Sequence, residues 1–201
     1  AAAEMNAYFL QRINHLRRNP NNHLLGQLVA IETEDGRLDD EEVLSFCRLL
    51  LIAGNETTTG LITASARIFH EEPQTLAQIK QRPELSGTFV EEALRYYSPF
   101  SATVRRTTKD VELAGQTIGA GELVVPLIAS ANRDERVFDA PDTFVMERSP
   151  NPHLGMGFGI HFCLGAHLAR LEGKIVVEQM AERYAQVVLA NPEKAAIGDL
   201  G

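Results

Sequence analysis

The sequence predicts a mainly α fold with a small β portion. Two observations carry that expectation. Long stretches place apolar residues at helical intervals and break at proline or glycine, and three short strand-like runs are confined to residues 111–125. Between 132 and 153 neither period holds.

The helices come in order. Met5 to Arg18 carries apolar residues at 5, 9, 10, 13 and 16 and stops at Asn19-Pro20. The polar turn Glu32-Thr33-Glu34-Asp35-Gly36 leads to Asp39, a side chain suited to cap a helix. From there a helical pattern without proline runs to Phe69, on the order of 45 Å at about 1.5 Å per residue, the length of a core spine. Pro73 to Gln81 reads as a short helix, and Gly87 to Tyr97 as another that ends before Ser98-Pro99.

Val111-Glu112-Leu113, Gln116-Thr117-Ile118 and Glu122-Leu123-Val124-Val125 follow, separated by Ala114-Gly115 and Gly119-Ala120-Gly121, so a small hairpin is expected. Asn132 to His153 is rich in Pro, Asp, Asn and Arg, a long irregular segment of a kind that is uncommon unless functional. A last helix runs from Leu164 to Tyr184, with apolar residues at 164, 168, 171, 175, 176 and 180.

With 201 residues the chain has the length of one domain or of a piece of a larger one, and 44% hydrophobic residues can supply a core. Its net charge of −8, without a block of like charges, argues against nucleic acid as a partner. Cys47 lies in an apolar run and reads as a small core residue, so the two cysteines form no disulfide framework and suit a reducing cytoplasm. The first residues show no basic region followed by an apolar core, and no apolar run nears about 18 residues. Neither a signal peptide nor a membrane span is expected.

One stretch carries more chemistry than the rest: Gly155-Met156-Gly157-Phe158-Gly159-Ile160-His161-Phe162-Cys163-Leu164-Gly165. A dinucleotide fingerprint starting at Gly157 would need glycine at position 162, which is Phe, and no strand precedes it. His153, His161, Cys163 and His167 are candidate zinc ligands, but their spacing matches no finger or ribbon. A glycine-rich turn before a helix, with His161 and Cys163 as filler, is the plainest alternative. A metal-bound thiolate gives the residue types a reason. Cysteine just before a helix N-terminus meets unpaired N–H groups and the positive end of the dipole, which stabilise S⁻. Glycines before it let the backbone approach a bulky planar group.

Three further motifs lie upstream. The spine helix contains Ala53-Gly54-Asn55-Glu56-Thr57-Thr58, where glycine lowers helix stability and an acid stands beside an alcohol. Phe89-Val90-Glu91-Glu92-Ala93-Leu94-Arg95 contains Glu-x-x-Arg, one helical turn apart, followed by Tyr97-Ser98-Pro99. Arg105 stands five residues before Asp110.

Together these resemble the cytochrome P450 superfamily of heme-thiolate monooxygenases in its soluble bacterial form. The cysteine loop is similar to the family's Phe-Gly-x-Gly-x-His-x-Cys-x-Gly signature through Gly157, Gly159, His161, Cys163 and Gly165, with Met156 where phenylalanine is usual. The resemblance covers residues 8 to 184. It implies a P450 fold of which this chain, 1–201, is the C-terminal heme-binding part of a single domain, the N-terminal half being absent.

It also implies heme b (iron protoporphyrin IX), with Cys163 as the iron ligand. Arg105 and His161 would be propionate donors, Arg106 being the rival of Arg105. Gly54 would be a notch for dioxygen, and Glu56 and Thr57 an acid–alcohol pair that relays protons. Glu92 and Arg95 would be a buried structural ion pair, with Arg148, or else Arg133, as the third partner. His153 and His167 are expected to be capping or solvated imidazoles. The implied activity is insertion of one oxygen atom of O2 into a small apolar substrate, with electrons from a ferredoxin or flavodoxin-type donor. Arg170 and Lys174 follow the cysteine on its helix and would either meet an acidic donor or be ordinary surface cations. The alternative is a truncated, noncatalytic heme-binding or structural remnant, associating through the edge that truncation exposes.

Overall fold

The computed structural model describes residues 2–33 and 36–191, arranged in two compact units, Ala1–Glu56 and Thr57–Gly201. The first unit holds α1 (Ala2–Arg18), α2 (Leu24–Ala30), a minimal pair β1 (Glu32–Thr33) and β2 (Gly36–Arg37), and the start of α3 (Asp40–Glu71). Glu34 and Asp35 of the expected turn lie outside the described residues. Ile13 and Leu16 of α1, Leu28 and Val29 of α2, and Val43, Leu44 and Cys47 of α3 form its core. Cys47 is buried there, and burial pushes its thiol up from the ordinary value.

α2 was not visible in the sequence. Its seven residues, LLGQLVA, are too short and too uniformly apolar to show a period. The start of α3, by contrast, forms as its residues dictate. The Asp39 carboxylate accepts from the Glu42 N–H at 2.8 Å and the Glu42 carboxylate accepts from the Asp39 N–H at 2.8 Å, a reciprocal capping box. The helix then runs two residues past the expected end at Phe69.

The second unit contains α4 (Pro73–Gln81), with proline in its first turn, and α5 (Leu85–Tyr96), which starts two residues before the expected Gly87. It ends with α7 (Ala166–Arg183), and α4 and α5 pack against that helix. Leu61, Ile68 and Phe69 of α3, Leu76 and Ile79 of α4, Phe89, Val90 and Ala93 of α5, and Val177 and Ala181 of α7 form one buried cluster. The helices approach closely at Gly173, where an added Cβ would stand 2.8 Å from a Leu61 methyl and 3.2 Å from a Val90 methyl.

Of the three strand-like runs, β4 (Val111–Leu113) and β5 (Gln116–Ile118) form the expected hairpin. Ala114 and Gly115 turn it with φ of 50° and 77°, as a two-residue reverse turn requires. The third run does not join them. Its β6 (Leu123–Val124) pairs instead with β3 (Arg105–Arg106), because Gly121 at φ 85° redirects the chain after β5. A one-turn α6 (Ile128–Ala131) comes next, and from Asn132 to Phe158 no further helix or strand forms.

Candidate functional site

α5 is the frame on which the irregular segment hangs. Glu92 and Arg95 lie one turn apart, and both are fully buried. Arg95 Nε and Nη2 donate to the two Glu92 oxygens, each at 2.8 Å. The other guanidinium hydrogens go to the carbonyls of Asn132 (2.9 Å), Pro141 (2.7 Å) and Thr143 (3.0 Å). Glu92 also accepts from Arg148 Nε at 3.1 Å, the Val145 N–H at 2.9 Å and Asn151 Nδ2 at 3.1 Å.

A buried charge is tolerated only when paired and hydrogen-bonded, and here two guanidiniums and two amides share one carboxylate. The same bonds satisfy the carbonyls of a segment that has no secondary structure of its own, which is why residues 132–151 can be irregular and still fixed. Arg148 therefore fills the third place. Arg133 lies over the Tyr96 ring, 4.0 Å from its centroid, and pairs with Asp142 at 2.7 Å.

One residue earlier, Glu91 faces a different set of partners. Arg170 of α7 donates to it twice, at 2.6 Å and 2.9 Å, and His153 Nε2 lies 3.1 Å away. Burial would raise the Glu91 carboxyl, but hydrogen bonds from His153 and Arg170, with their charges, outweigh it and hold it at about 2. Of the two roles expected for His153, it takes the capping one: its side chain is 3% exposed and its Nδ1 accepts the Gly155 N–H at 3.1 Å. Arg170 is more than a surface cation, because its guanidinium is engaged by Glu91. Neither contact with Glu91 was legible, since Glu91 reads in sequence only as a neighbour of Glu92.

The cysteine loop follows from its glycines. Gly157 (φ 76°) and Gly159 (φ 61°) adopt the left-handed region. A Cβ on Gly157 would sit 2.7 Å from the His161 carbonyl oxygen, so the backbone closes on itself where only glycine fits. Gly159–His161 make a single 3-10 turn, after which the Cys163 N–H donates to the Met156 carbonyl at 2.7 Å. The Cys163 carbonyl in turn accepts from the Ala166 N–H at 3.2 Å, at the first residue of α7. α7 thus begins two residues later than the expected Leu164, leaving Cys163 on the loop before it. Met156 is buried in the core, whereas Cys163 is exposed.

Around that thiol the apolar side chains point the wrong way for a finished surface. Phe158 is 81% exposed, Ile160 97% and Leu164 78%. Leu168, Leu171 and Ile175 continue along α7 as exposed residues, while Val177 and Ala181 of the same helix are buried. A helix that is apolar on two faces expects a second covering, and exposed apolar area of this extent marks a binding site.

The other expected residues lie apart in the chain. Arg105 is exposed on β3, its Nη1 donating to Thr103 Oγ1 and the Val104 carbonyl, both at 2.9 Å. The Arg106 side chain is turned to the Gly121 carbonyl, which engages the rival within its own sheet region. His161 ends the 3-10 turn and is exposed, as is His167. Gly54 and Glu56 are exposed on α3, with nothing within 4 Å of a Cβ placed on Gly54; Thr57, next in the chain, is half-buried. Among the described residues no three His, Cys, Asp or Glu side chains gather to hold an ion, so the zinc alternative has no cluster behind it. Among them, too, no helix is long and apolar enough to cross a membrane.

The family model for cytochrome P450 matches residues 63–194. A biotin biosynthesis cytochrome P450 of Bacillus subtilis (strain 168) is 42% identical over 192 residues, 96% of this chain and 48% of its own length. Cytochrome P450 119 of Sulfolobus acidocaldarius is 43% identical over 191 residues, 95% of this chain and 50% of its own. Among solved structures, CYP109E1 from Bacillus megaterium in complex with testosterone superposes with a TM-score of 0.86 at 43% identity, covering 92% of this chain and 51% of that one. P450BioI, solved in complex with an acyl carrier protein ligated to hexadec-9Z-enoic acid, gives 0.88 at 42% identity, covering 94% and 48%.

A helical frame with small sheets, carrying an exposed cysteine on a glycine loop, superposes on these P450 relatives. The chain belongs to the cytochrome P450 family, and membership implies heme. It spans about half the length of the curated relatives it matches.

Proposed function

We propose that this chain is the C-terminal portion of a single P450 domain, that it holds heme b through the Cys163 thiolate, and that the whole protein is a monooxygenase acting on a small apolar substrate. One observation carries the proposal: an exposed thiol on a loop closed by Gly157 and the Cys163–Met156 hydrogen bond, rimmed by exposed Phe158, Ile160 and Leu164. A flat apolar cofactor with two carboxylates fits that chemistry. The rim would cover its faces, and Arg105 and His161, both solvent-facing donors, would take the propionates.

When bound, the heme would supply the redox chemistry that activates dioxygen. Cys163 stands three residues before the first residue of α7, where the N–H groups of the first helical turn would favour a negatively charged ligand. Glu56 is exposed and Thr57 half-buried at successive positions of α3, and as an acid–alcohol pair they would carry protons from water toward the site. The open space at Gly54 leaves room on the same helix for a small molecule. Electrons would come from a ferredoxin or flavodoxin-type donor.

Reduction of the heme-loaded protein under carbon monoxide tests the ligand. A red-shifted Soret band that disappears in Cys163→Ser is expected, and a band that survives that change would remove Cys163 as ligand. Turnover with a donor system then separates a monooxygenase from a noncatalytic heme-binding or structural remnant. Glu56→Ala and Thr57→Ala should leave the heme spectrum in place while less product forms per electron consumed.

A further inference from the structure

Glu91 touches both ends of the cysteine loop. On the entering side it meets His153 Nε2 at 3.1 Å, and His153 Nδ1 accepts the Gly155 N–H at 3.1 Å. Because Nδ1 accepts, Nε2 is the nitrogen whose hydrogen points at Glu91. One residue beyond Gly155, the Met156 carbonyl receives the Cys163 N–H at 2.7 Å. On the leaving side Glu91 holds the Arg170 guanidinium bidentately, seven positions after Cys163 on α7. The Arg170 guanidinium is raised above its ordinary value first by the Glu91 hydrogen bond, against burial, then by the Glu91 charge and last by Cys163. The space at the entering side is tight, since a Cβ on Gly155 would lie 3.0 Å from the Leu94 carbonyl and 3.1 Å from His153 Nδ1.

We propose that Glu91, His153 and Arg170 are positioning residues for the Cys163 thiolate: Glu91 clamps the segment that enters the loop and the helix that leaves it, and neutralises the charge of Arg170. The proposal rests on Cys163 being the iron ligand. Groups that orient a ligand and its hydrogen bonds set metal affinity and donor strength as much as the ligand does. No bond is made or broken by the clamp. Its two functions are geometric, through the Gly155 and Met156 backbone, and electrostatic, through the Arg170 charge.

The electrostatic function makes opposite substitutions act in opposite directions. Glu91→Gln leaves the Arg170 charge uncompensated, which weakens donation from sulfur and moves the heme reduction potential upward. Arg170→Gln removes the cation and moves it downward. Simple damage to the fold would not reverse sign between the two variants. At His153, asparagine keeps an acceptor near Nδ1 for the Gly155 N–H, and glutamine keeps a donor near Nε2 for Glu91, so each restores one half of the link.

The experiment uses the intact heme-loaded protein and measures reduction potential, the ferrous carbon monoxide spectrum and heme release. Expected are potential shifts of opposite sign for Glu91→Gln and Arg170→Gln. Heme affinity should fall about ten-fold in His153→Ala and recover in part in His153→Asn. Shifts of the same sign, or unchanged potentials with a full thiolate band in both charge variants, would overturn the clamp. Cys163→Ser is measured alongside. If it keeps the thiolate band, the ligand assignment fails first; if it loses the band while the clamp variants behave as wild type, only the clamp fails.

Discussion

The Glu92 cluster and the Cys163 loop lie on the same unit and are finished to opposite degrees. Around Glu92 every charge has its partner inside the chain: two arginines and two amide donors meet one buried carboxylate, and the arginines reach five backbone carbonyls. Around Cys163 the backbone is equally well determined, but the side chains are not enclosed; the thiol and three large apolar residues face solvent. The difference separates what this chain completes by itself from what it prepares for something else. Buried polar groups must be satisfied for the fold to exist, whereas an exposed apolar rim costs little until it is covered and contributes when it is.

The sharpest way to break that contrast is Glu92→Ala. It strands two arginines, one of them fully buried, and should cost about 3–5 kcal/mol in urea unfolding. A cost below that of an ordinary surface change would mean the cluster is not closed. Gly157→Ala comes next. With φ at 76° and a Cβ only 2.7 Å from the His161 carbonyl, it should cost about 1–3 kcal/mol in strain, and heme binding should fall with it.

Acid supplies a milder test. Glu91 is held at about 2 in the folded chain against 4.5 ordinarily, so its contribution is complete above pH 4.5 and is lost as pH falls toward 2. Unfolding followed across that window should show stability dropping in wild type and dropping less in Glu91→Gln. Smallest of all for the fold is Ile160→Ser. At 97% exposure it should change stability by less than about 0.5 kcal/mol, while heme retention measured by transfer to a heme acceptor falls. A marked loss of stability with unchanged heme retention would place Ile160 in the core and remove it from the rim.

Much of this could be read from the residues in order. The capping box at Asp39, the proline that opens α4 and the Ala114-Gly115 turn are local signals, and each acts within a few residues of itself. The loop glycines are legible for the same reason, since the φ values that Gly157 and Gly159 adopt exclude most other residues. α2 escaped because a seven-residue apolar segment has no period, and the partner of β6 was not legible because strand pairing is not local.

The roles of individual charges were the least legible part. Glu91 and Glu92 are adjacent and chemically identical, yet one is fully buried with Arg95 and Arg148 and the other reaches His153 and Arg170. Adjacent positions on a helix face about 100° apart, so they meet different neighbours, and those neighbours come from residues 132–170. Helix starts, turn conformations and the cysteine on its glycine loop were therefore determined by the sequence itself, through interactions spanning a few residues. Which arginine answers which carboxylate, that His153 is buried, and that the thiol lies exposed beside an uncovered apolar face were decided only by the tertiary structure, because each depends on contacts between segments far apart in the chain.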